Sequence, residues 1–226
     1  MSIAVFPQNE IKSTQQENGI RRVAVIGSGV MGAGIAAHCA NAGCEVLLMD
    51  IVPKGAQERN ILAMKALDEM TTANPEVLMH PDFAGRITAG NLEDDLKLLA
   101  DRDWVVEVVV ERVDVKRMVY ANIAEHLSKT AILSSNTSTL PRVELIVGME
   151  ASLASRFLIT HFFNPPRYLP LLEVVGGEEV SEEVMERFQR FADQSLGKRV
   201  TLCNDTPGFI GNRLGIYFVQ RAIAAT

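Results

Sequence analysis

Short apolar segments alternate along the chain with segments whose apolar residues recur at helical spacing. Residues 21–27, 31–42 and 44–50 have the patterns of a strand, a helix of small residues and a second strand. This order predicts a βαβ unit, in which the two strands are parallel. The alternation continues, and we predict further helices at 55–73, 92–100, 115–127, 140–147, 181–197 and 208–225, and further strands at 86–90, 103–110, 131–136, 157–163, 170–177 and 198–204.

Two features of the pattern define the sheet. Residues 103–110 are almost continuously apolar, as expected for a parallel strand buried on both faces. Only NPPRYL separates the strands predicted at 157–163 and 170–177, which is too short for a helical crossover. We therefore predict an α/β fold with a doubly wound, mostly parallel sheet and an antiparallel edge near its end.

Composition excludes several classes of function. The chain has 226 residues, of which 47% are hydrophobic, enough for one full core. A net charge of -6 leaves no basic face for nucleic acid. No apolar run approaches the roughly 20 residues of a membrane helix. The three cysteines lack metal-ligand spacing, so we expect free thiols in a cytoplasmic protein and no metal site.

A glycine-rich junction joins the first predicted strand to the following helix. Gly27, Gly29 and Gly32 have the spacing GxGxxG. The first glycine permits a tight turn, the second lets a pyrophosphate approach the backbone, and the third lets the helix pack closely on the strand. Val30 and Met31 stand at the start of that helix, where free N–H groups attract phosphate. Such a turn also occurs for structural reasons alone, so the motif needs further support.

Asp50 supplies that support, because it ends the second strand of the βαβ unit. An acidic residue there accepts hydrogen bonds from an adenosine ribose and repels a 2′-phosphate. We therefore predict a Rossmann-type domain over residues 20–205 that binds NAD rather than NADP. The polar residues 1–19 are expected to form a flexible leader.

A histidine and a glutamate lie on the two strands of the predicted antiparallel pair. If the strands pair around the turn, His161 and Glu173 face each other. A carboxylate that accepts the Nδ1–H bond fixes the tautomer of the imidazole and leaves Nε2 to act as a general base. The alternative is that His161 is a core histidine and Glu173 a charge at the edge of the sheet.

Four separated motifs carry a resemblance to a known family. GSGVMGAGIA, SSNTST, HFFNPP with an acid twelve residues after its histidine, and DTPGFIGNRL occur in this order. Together they resemble the L-3-hydroxyacyl-CoA dehydrogenases, most closely the long bacterial form in which a hydratase-like domain follows. The resemblance implies oxidation of L-3-hydroxyacyl-CoA to 3-oxoacyl-CoA by NAD in fatty-acid β-oxidation.

The resemblance also implies roles for individual residues. His161 matches the catalytic base and Glu173 its orienting carboxylate, while Ser138 and Asn212 match residues that contact the reacting oxygen. Cofactor-contacting positions are matched by Glu111, Lys116, Ser138 and Asn164. Ser138 has an alternative role as a hydroxyl that caps the helix starting near Leu140, and Asn212 as a helix-surface amide.

In the family an all-helical domain follows the NRL motif, and it closes over the acyl-CoA and forms much of the dimer contact. The resemblance leads us to expect only the start of that domain, at 206–226, an active site that is incomplete in this chain, and a homo-oligomeric full-length protein. Two rival functions remain open. One is another Rossmann-type hydroxyacid dehydrogenase, which would use a catalytic lysine, and the other is a non-catalytic NAD-binding scaffold.

Overall fold

The computed structural model describes residues 19–225, so the predicted leader lies outside the described residues except for Gly19. Its strands are β1 (Arg22–Ile26), β2 (Glu45–Asp50), β3 (Ile87–Asn91), β4 (Trp104–Glu107), β5 (Ile132–Ser135), β6 (Phe157–Phe162), β7 (Leu171–Val175) and β8 (Arg199–Leu202). Its α-helices are α1 (Val30–Asn41), α2 (Ile61–Thr72), α3 (Val113–Ile123), α4 (Arg142–Leu145), α5 (Ala151–Ala154), α6 (Glu182–Arg190) and α7 (Gly211–Ala224).

All eight strands form one sheet in the order β3-β2-β1-β4-β5-β6-β7-β8. Neighbouring strands are parallel except β6 and β7, which are antiparallel. The chain reverses its direction of winding at β1, so β1 and β4 are neighbours. This topology confirms the predicted fold class, and it places the carboxyl ends of β1 and β4 at the switch point where ligands bind in such sheets.

The core lies on both faces of the sheet. On one face, the side chains of β1, β2 and β4 pack with α1, α2 and α6, as Ile35, Ala63 and Phe188 show. On the other face, α3 and α4 contribute Val119, Tyr120 and Leu145. The central strands are therefore buried on both sides, which accounts for the apolar character of β4. The strand predicted at 103–110 is shorter than expected, because it ends at Glu107 and Val110 is exposed.

Three predicted helices are clearly shorter in the structure, and the one predicted at 140–147 is reduced to α4, Arg142–Leu145. Residues 55–60 precede α2 without being helical, because Gly55 has a φ of +78°, a left-handed conformation that a helix does not allow. Only Leu96–Leu99 of the segment 92–100 form a turn of 3-10 helix. There the side chain of Asn91 accepts hydrogen bonds from the N–H groups of Glu93 and Asp94 and closes a turn directly after β3.

The remaining helices differ in regularity and exposure. The helix predicted at 181–197 is α6 followed by a turn of π-helix at Phe191–Ser195. Every described side chain of α7 is at least partly exposed. None of the helices within residues 19–225 has the length and apolar character to cross a membrane.

Candidate active site

The glycine-rich loop lies between β1 and α1, and backbone crowding explains two of its glycines. Gly27 has a φ of +103°, and a Cβ there would lie 2.6 Å from the carbonyl oxygen of Val108. A Cβ on Gly32 would lie 1.8 Å from the carbonyl oxygen of Gly27. A side chain at Gly29, in contrast, would meet no atom within 4 Å. The space above Gly29 is open, as a bound pyrophosphate requires.

The start of α1 is open to a phosphate as well. Gly29 is the N-cap residue and provides no side-chain cap, and the first turn holds no acidic residue. Val30 is 77% exposed. The first N–H groups of a helix need partners, and here the positive end of the helix dipole faces the open side of the loop.

Asp50 lies at the carboxyl end of β2, beside the glycine-rich loop. Its Oδ2 accepts hydrogen bonds from the backbone N–H of Ser28 at 2.7 Å and from the Ser28 hydroxyl at 2.6 Å. Its Oδ1 accepts one from the N–H of Ile51 at 2.7 Å. The carboxylate is thus held against the loop, in a position that fits recognition of an adenosine ribose.

His161 and Glu173 are directly opposite each other in the register of β6 and β7. The His161 Nδ1 lies 2.8 Å from the Glu173 Oε2. Because a carboxylate only accepts, the proton of this bond is on Nδ1, and Nε2 is left as the basic nitrogen. Glu173 is 1% exposed and His161 6% exposed. The structure therefore forms the predicted pair.

The second oxygen of Glu173 is bonded to the start of α7. Oε1 accepts hydrogen bonds from the N–H groups of Ile210 at 3.0 Å and Gly211 at 2.7 Å. The imidazole of His161 lies against the Phe163 ring, with the ring centroids 4.5 Å apart, and 5.9 Å from that of Phe209. Backbone donors and aromatic rings thus fix both members of the pair.

Six residues predicted to act in catalysis or cofactor binding share one cleft at the carboxyl end of the sheet, and they are Met31, Glu111, Lys116, Ser138, His161 and Asn164. Glu173 stands behind His161, away from the cleft. The Asn212 side chain donates a hydrogen bond to the backbone carbonyl of Ser138, at 3.0 Å. Of the four residues predicted for catalysis, the structure thus places His161 and Ser138 in the cleft, Glu173 behind His161, and Asn212 against the backbone of Ser138.

Glu111 organises the turn that follows β5. Its Oε1 accepts hydrogen bonds from the Thr137 hydroxyl at 2.5 Å and the Ser138 N–H at 2.9 Å. Burial alone would raise the pKa of Glu111, but the hydrogen bond from Thr137 and the charge of Lys116 outweigh it and lower that pKa. Glu111 therefore lines the cleft as an anion.

The structure does not give Ser138 the alternative role of a hydroxyl that caps a helix. Helix α4 begins at Arg142, and the N–H groups of Arg142 and Val143 donate to the Asp205 carboxylate, at 2.6 Å and 2.9 Å. Ser138 instead lines the cleft together with His161. This position is consistent with the predicted contact to a reacting oxygen.

Sequence reasoning missed a buried carboxylate beneath the cleft. Glu107 is 0% exposed. It accepts hydrogen bonds from the Lys116 ammonium, the Tyr120 hydroxyl and the Ser135 hydroxyl, each at 2.7 Å, and from the Val109 N–H at 2.6 Å. Burial, and then the charge of Glu107, raise the pKa of Tyr120 well above its usual value. The signal was present, because Glu107 is the single acid within the apolar run VVEVVV.

Comparison with known proteins identifies the class. Residues 22–206 match the family model described as "3-hydroxyacyl-CoA dehydrogenase, NAD binding domain". A "Probable 3-hydroxyacyl-CoA dehydrogenase" of Deinococcus radiodurans is 47% identical over 204 residues, which cover 90% of this chain and 59% of that protein. A "Putative fatty acid oxidation complex trifunctional enzyme" of Rickettsia felis is 46% identical over 204 residues, covering 90% of this chain and 28% of that protein.

A solved structure shows the same fold. The crystal structure of 3-hydroxybutyryl-CoA dehydrogenase from Escherichia coli superposes with a TM-score of 0.74 at 33% identity, covering 87% of this chain and 40% of that one. The domain is thus an NAD-binding domain of a dehydrogenase, which confirms the predicted cofactor. The chain belongs to the 3-hydroxyacyl-CoA dehydrogenase family. It spans 28% and 59% of the length of the two curated relatives above.

Proposed function

We propose that the protein oxidises L-3-hydroxyacyl-CoA to 3-oxoacyl-CoA with NAD, as a step of fatty-acid β-oxidation. The observation that carries the proposal is the bond between His161 and Glu173, 2.8 Å long, at a cleft next to a glycine-rich loop. The printed names of the relatives, which include 3-hydroxyacyl-CoA dehydrogenases and fatty-acid oxidation enzymes, support the substrate class.

Each residue around the cleft has a separate role in the proposed reaction. His161 takes the proton of the substrate hydroxyl on Nε2, and Glu173 stabilises the imidazolium that forms. Bound NAD supplies the acceptor for the hydride that leaves C3. Ser138 and Asn212 hold the reacting oxygen. The glycine-rich loop and Asp50 hold the cofactor's phosphates and ribose.

The rival functions receive less support. A hydroxyacid dehydrogenase with a catalytic lysine would need a free ammonium group in the cleft. Lys116 lines the cleft, but it is 1% exposed and its Nζ lies 2.7 Å from Glu107 and 3.3 Å from Glu111. A non-catalytic scaffold would bind NADH without turnover, so the experiment below distinguishes it.

A double-mutant cycle in the natural protein tests the proposal, with acetoacetyl-CoA and NADH as substrates. Glu173→Gln keeps the shape of the side chain but removes the charge that stabilises the imidazolium, so we expect kcat to fall about a hundredfold to a thousandfold. Because the two residues act as a unit, His161→Ala/Glu173→Gln is expected to be hardly worse than His161→Ala alone. His126→Ala, which removes a partly exposed histidine next to the exposed Glu125, is the control.

The outcomes are distinct. Independent, multiplicative losses at unchanged NADH affinity would show that Glu173 is only a charge at the edge of the sheet. NADH binding without turnover would favour the scaffold, and oxidation of small hydroxyacids in preference to the acyl-CoA would favour the other dehydrogenase class.

We also place this reaction in the cytoplasm. Cys39, Cys44 and Cys203 are free thiols, as is typical of proteins in a reducing compartment. Cell fractionation followed by thiol titration of the denatured protein would test this placement. Recovery in a membrane or secreted fraction, or a loss of titratable thiols to disulfides, would contradict it.

A further inference from the structure

The start of α7 is hydrogen-bonded to Glu173, the carboxylate of the catalytic pair. The N–H groups of Ile210 and Gly211 converge on Oε1 of Glu173, whose other oxygen accepts the bond from His161. A carboxylate with both oxygens engaged cannot rotate without breaking a charge-assisted hydrogen bond. The orientation of Glu173 therefore depends on where α7 begins.

Gly211 is the residue that permits this approach. A Cβ at Gly211 would lie 2.8 Å from Cζ and 3.0 Å from Cε1 of the Phe163 ring, and 3.5 Å from the Glu173 Oε1. That same ring packs on the imidazole of His161, with centroids 4.5 Å apart. A methyl group at Gly211 would thus displace either the ring from His161 or the helix start from Glu173.

We propose that Gly211 is a positioning residue for the catalytic base, because its lack of a side chain lets the start of α7 lock Glu173 and Phe163 around His161. The inference rests on the proposed function for its catalytic meaning. The structural part of the inference does not depend on the reaction. It states that Nδ1 of the His161 imidazole carries the proton and that Nε2 does not. Phe209, which is buried with a φ of +47°, brings a second ring to within 5.9 Å of the imidazole on the same segment.

The test is Gly211→Ala, with Gly215→Ala as the matched control. Gly215 lies one turn later on α7, and a Cβ there would meet no atom within 4 Å. The main readout is the pair of imidazole ¹⁵N signals of His161 at neutral pH. We expect the wild-type protein and Gly215→Ala to show one tautomer with the proton on Nδ1, and Gly211→Ala to show a mixture of tautomers. We expect kcat on acetoacetyl-CoA to fall about tenfold to a hundredfold in Gly211→Ala, with NADH affinity unchanged.

Rescue identifies the contact responsible. In a Phe163→Leu background the ring atoms that the new methyl group would meet are gone. We therefore expect Gly211→Ala to change the ¹⁵N spectrum of that background far less than it changes the wild-type spectrum. An equal change in both backgrounds would overturn the role of the Phe163 contact.

A measurement on the folded wild-type protein covers the case in which Gly211→Ala fails to fold. The amide protons of Ile210 and Gly211 are expected to resonate downfield because they are bonded to a carboxylate, and to move upfield in Glu173→Gln. Unchanged amide shifts there, or a single unaltered tautomer in a folded Gly211→Ala, would overturn the inference. These spectra need no substrate, so an absence of turnover would count against the proposed function alone.

Discussion

Replacing Lys116 by methionine tests the buried ion pair beneath the cleft. The Lys116 Nζ lies 2.7 Å from Oε1 of Glu107 and 3.3 Å from Oε2 of Glu111, and its side chain is 1% exposed. Methionine keeps most of the volume and removes the ammonium group. The Glu107 carboxylate would then remain buried without an opposite charge.

The size of the stability loss depends on the hydrogen bonds that Glu107 retains in Lys116→Met. Breaking a buried ion pair by removing one partner costs about 3–5 kcal/mol. Three neutral donors would still bond Glu107, from Val109, Tyr120 and Ser135, so we expect the lower end, about 3 kcal/mol of unfolding free energy.

Urea unfolding, followed by circular dichroism at pH 7.5, measures this loss of unfolding free energy. Lys116→Met/Glu107→Gln removes both charges, so we expect it to recover about 1–2 kcal/mol relative to Lys116→Met. Arg112→Met, which breaks the exposed pair with Asp114, is the matched control and should leave the midpoint unchanged. A Lys116→Met variant as stable as the wild type, or a double variant less stable than the single one, would refute the reasoning.

Two further predictions concern the cofactor site and the effect of pH. Asp50→Ala should weaken NADH binding by about fivefold to tenfold, the equivalent of one lost hydrogen bond, and it should reduce the discrimination against NADPH. If parallel titrations show an unchanged preference for NADH over NADPH, Asp50 does not bind the ribose. Burial, and then the charge of Lys198, lower the pKa of His38 from 6.5 to about 4. As the pH falls, the unfolded chain therefore binds this proton before the folded protein does, so the wild type should lose up to about 3 kcal/mol of stability between pH 6.5 and pH 4. In urea titrations, His38→Gln should flatten that part of the plot of stability against pH. Equal slopes for the two proteins would show that another group is responsible.

The arrangement of strands could be predicted from the sequence because period and loop length determine it. The apolar run at 103–110 indicated a central strand, and the short link NPPRYL indicated the reversal between β6 and β7. Helix starts were harder to predict. Gly55 has a left-handed backbone angle that a helix does not allow, and the apolar spacing of its neighbours does not reveal this.

The candidate site was predictable where side chains form it. Glycine spacing located the loop, and strand pairing placed His161 opposite Glu173. The contacts from α7 were not predictable, because the donors are backbone N–H groups that every residue except proline carries. The bonds to Glu107 depend on packing between β4, β5 and α3, which local sequence does not specify.

The register of β6 and β7 restricts how the hairpin can change in evolution or by design. Successive side chains of a strand point to opposite faces, so a slip of β7 by one residue would bring Leu172 or Val174 opposite His161. It would also turn Glu173 into the apolar layer that now holds those two side chains, both of which are 0% exposed. Residues inserted at 163–170 must therefore be accommodated within the loop, without shifting the register of β6 and β7. They must also keep the hydrogen bonds that the Lys198 ammonium donates to the carbonyl oxygens of Pro166 and Leu169.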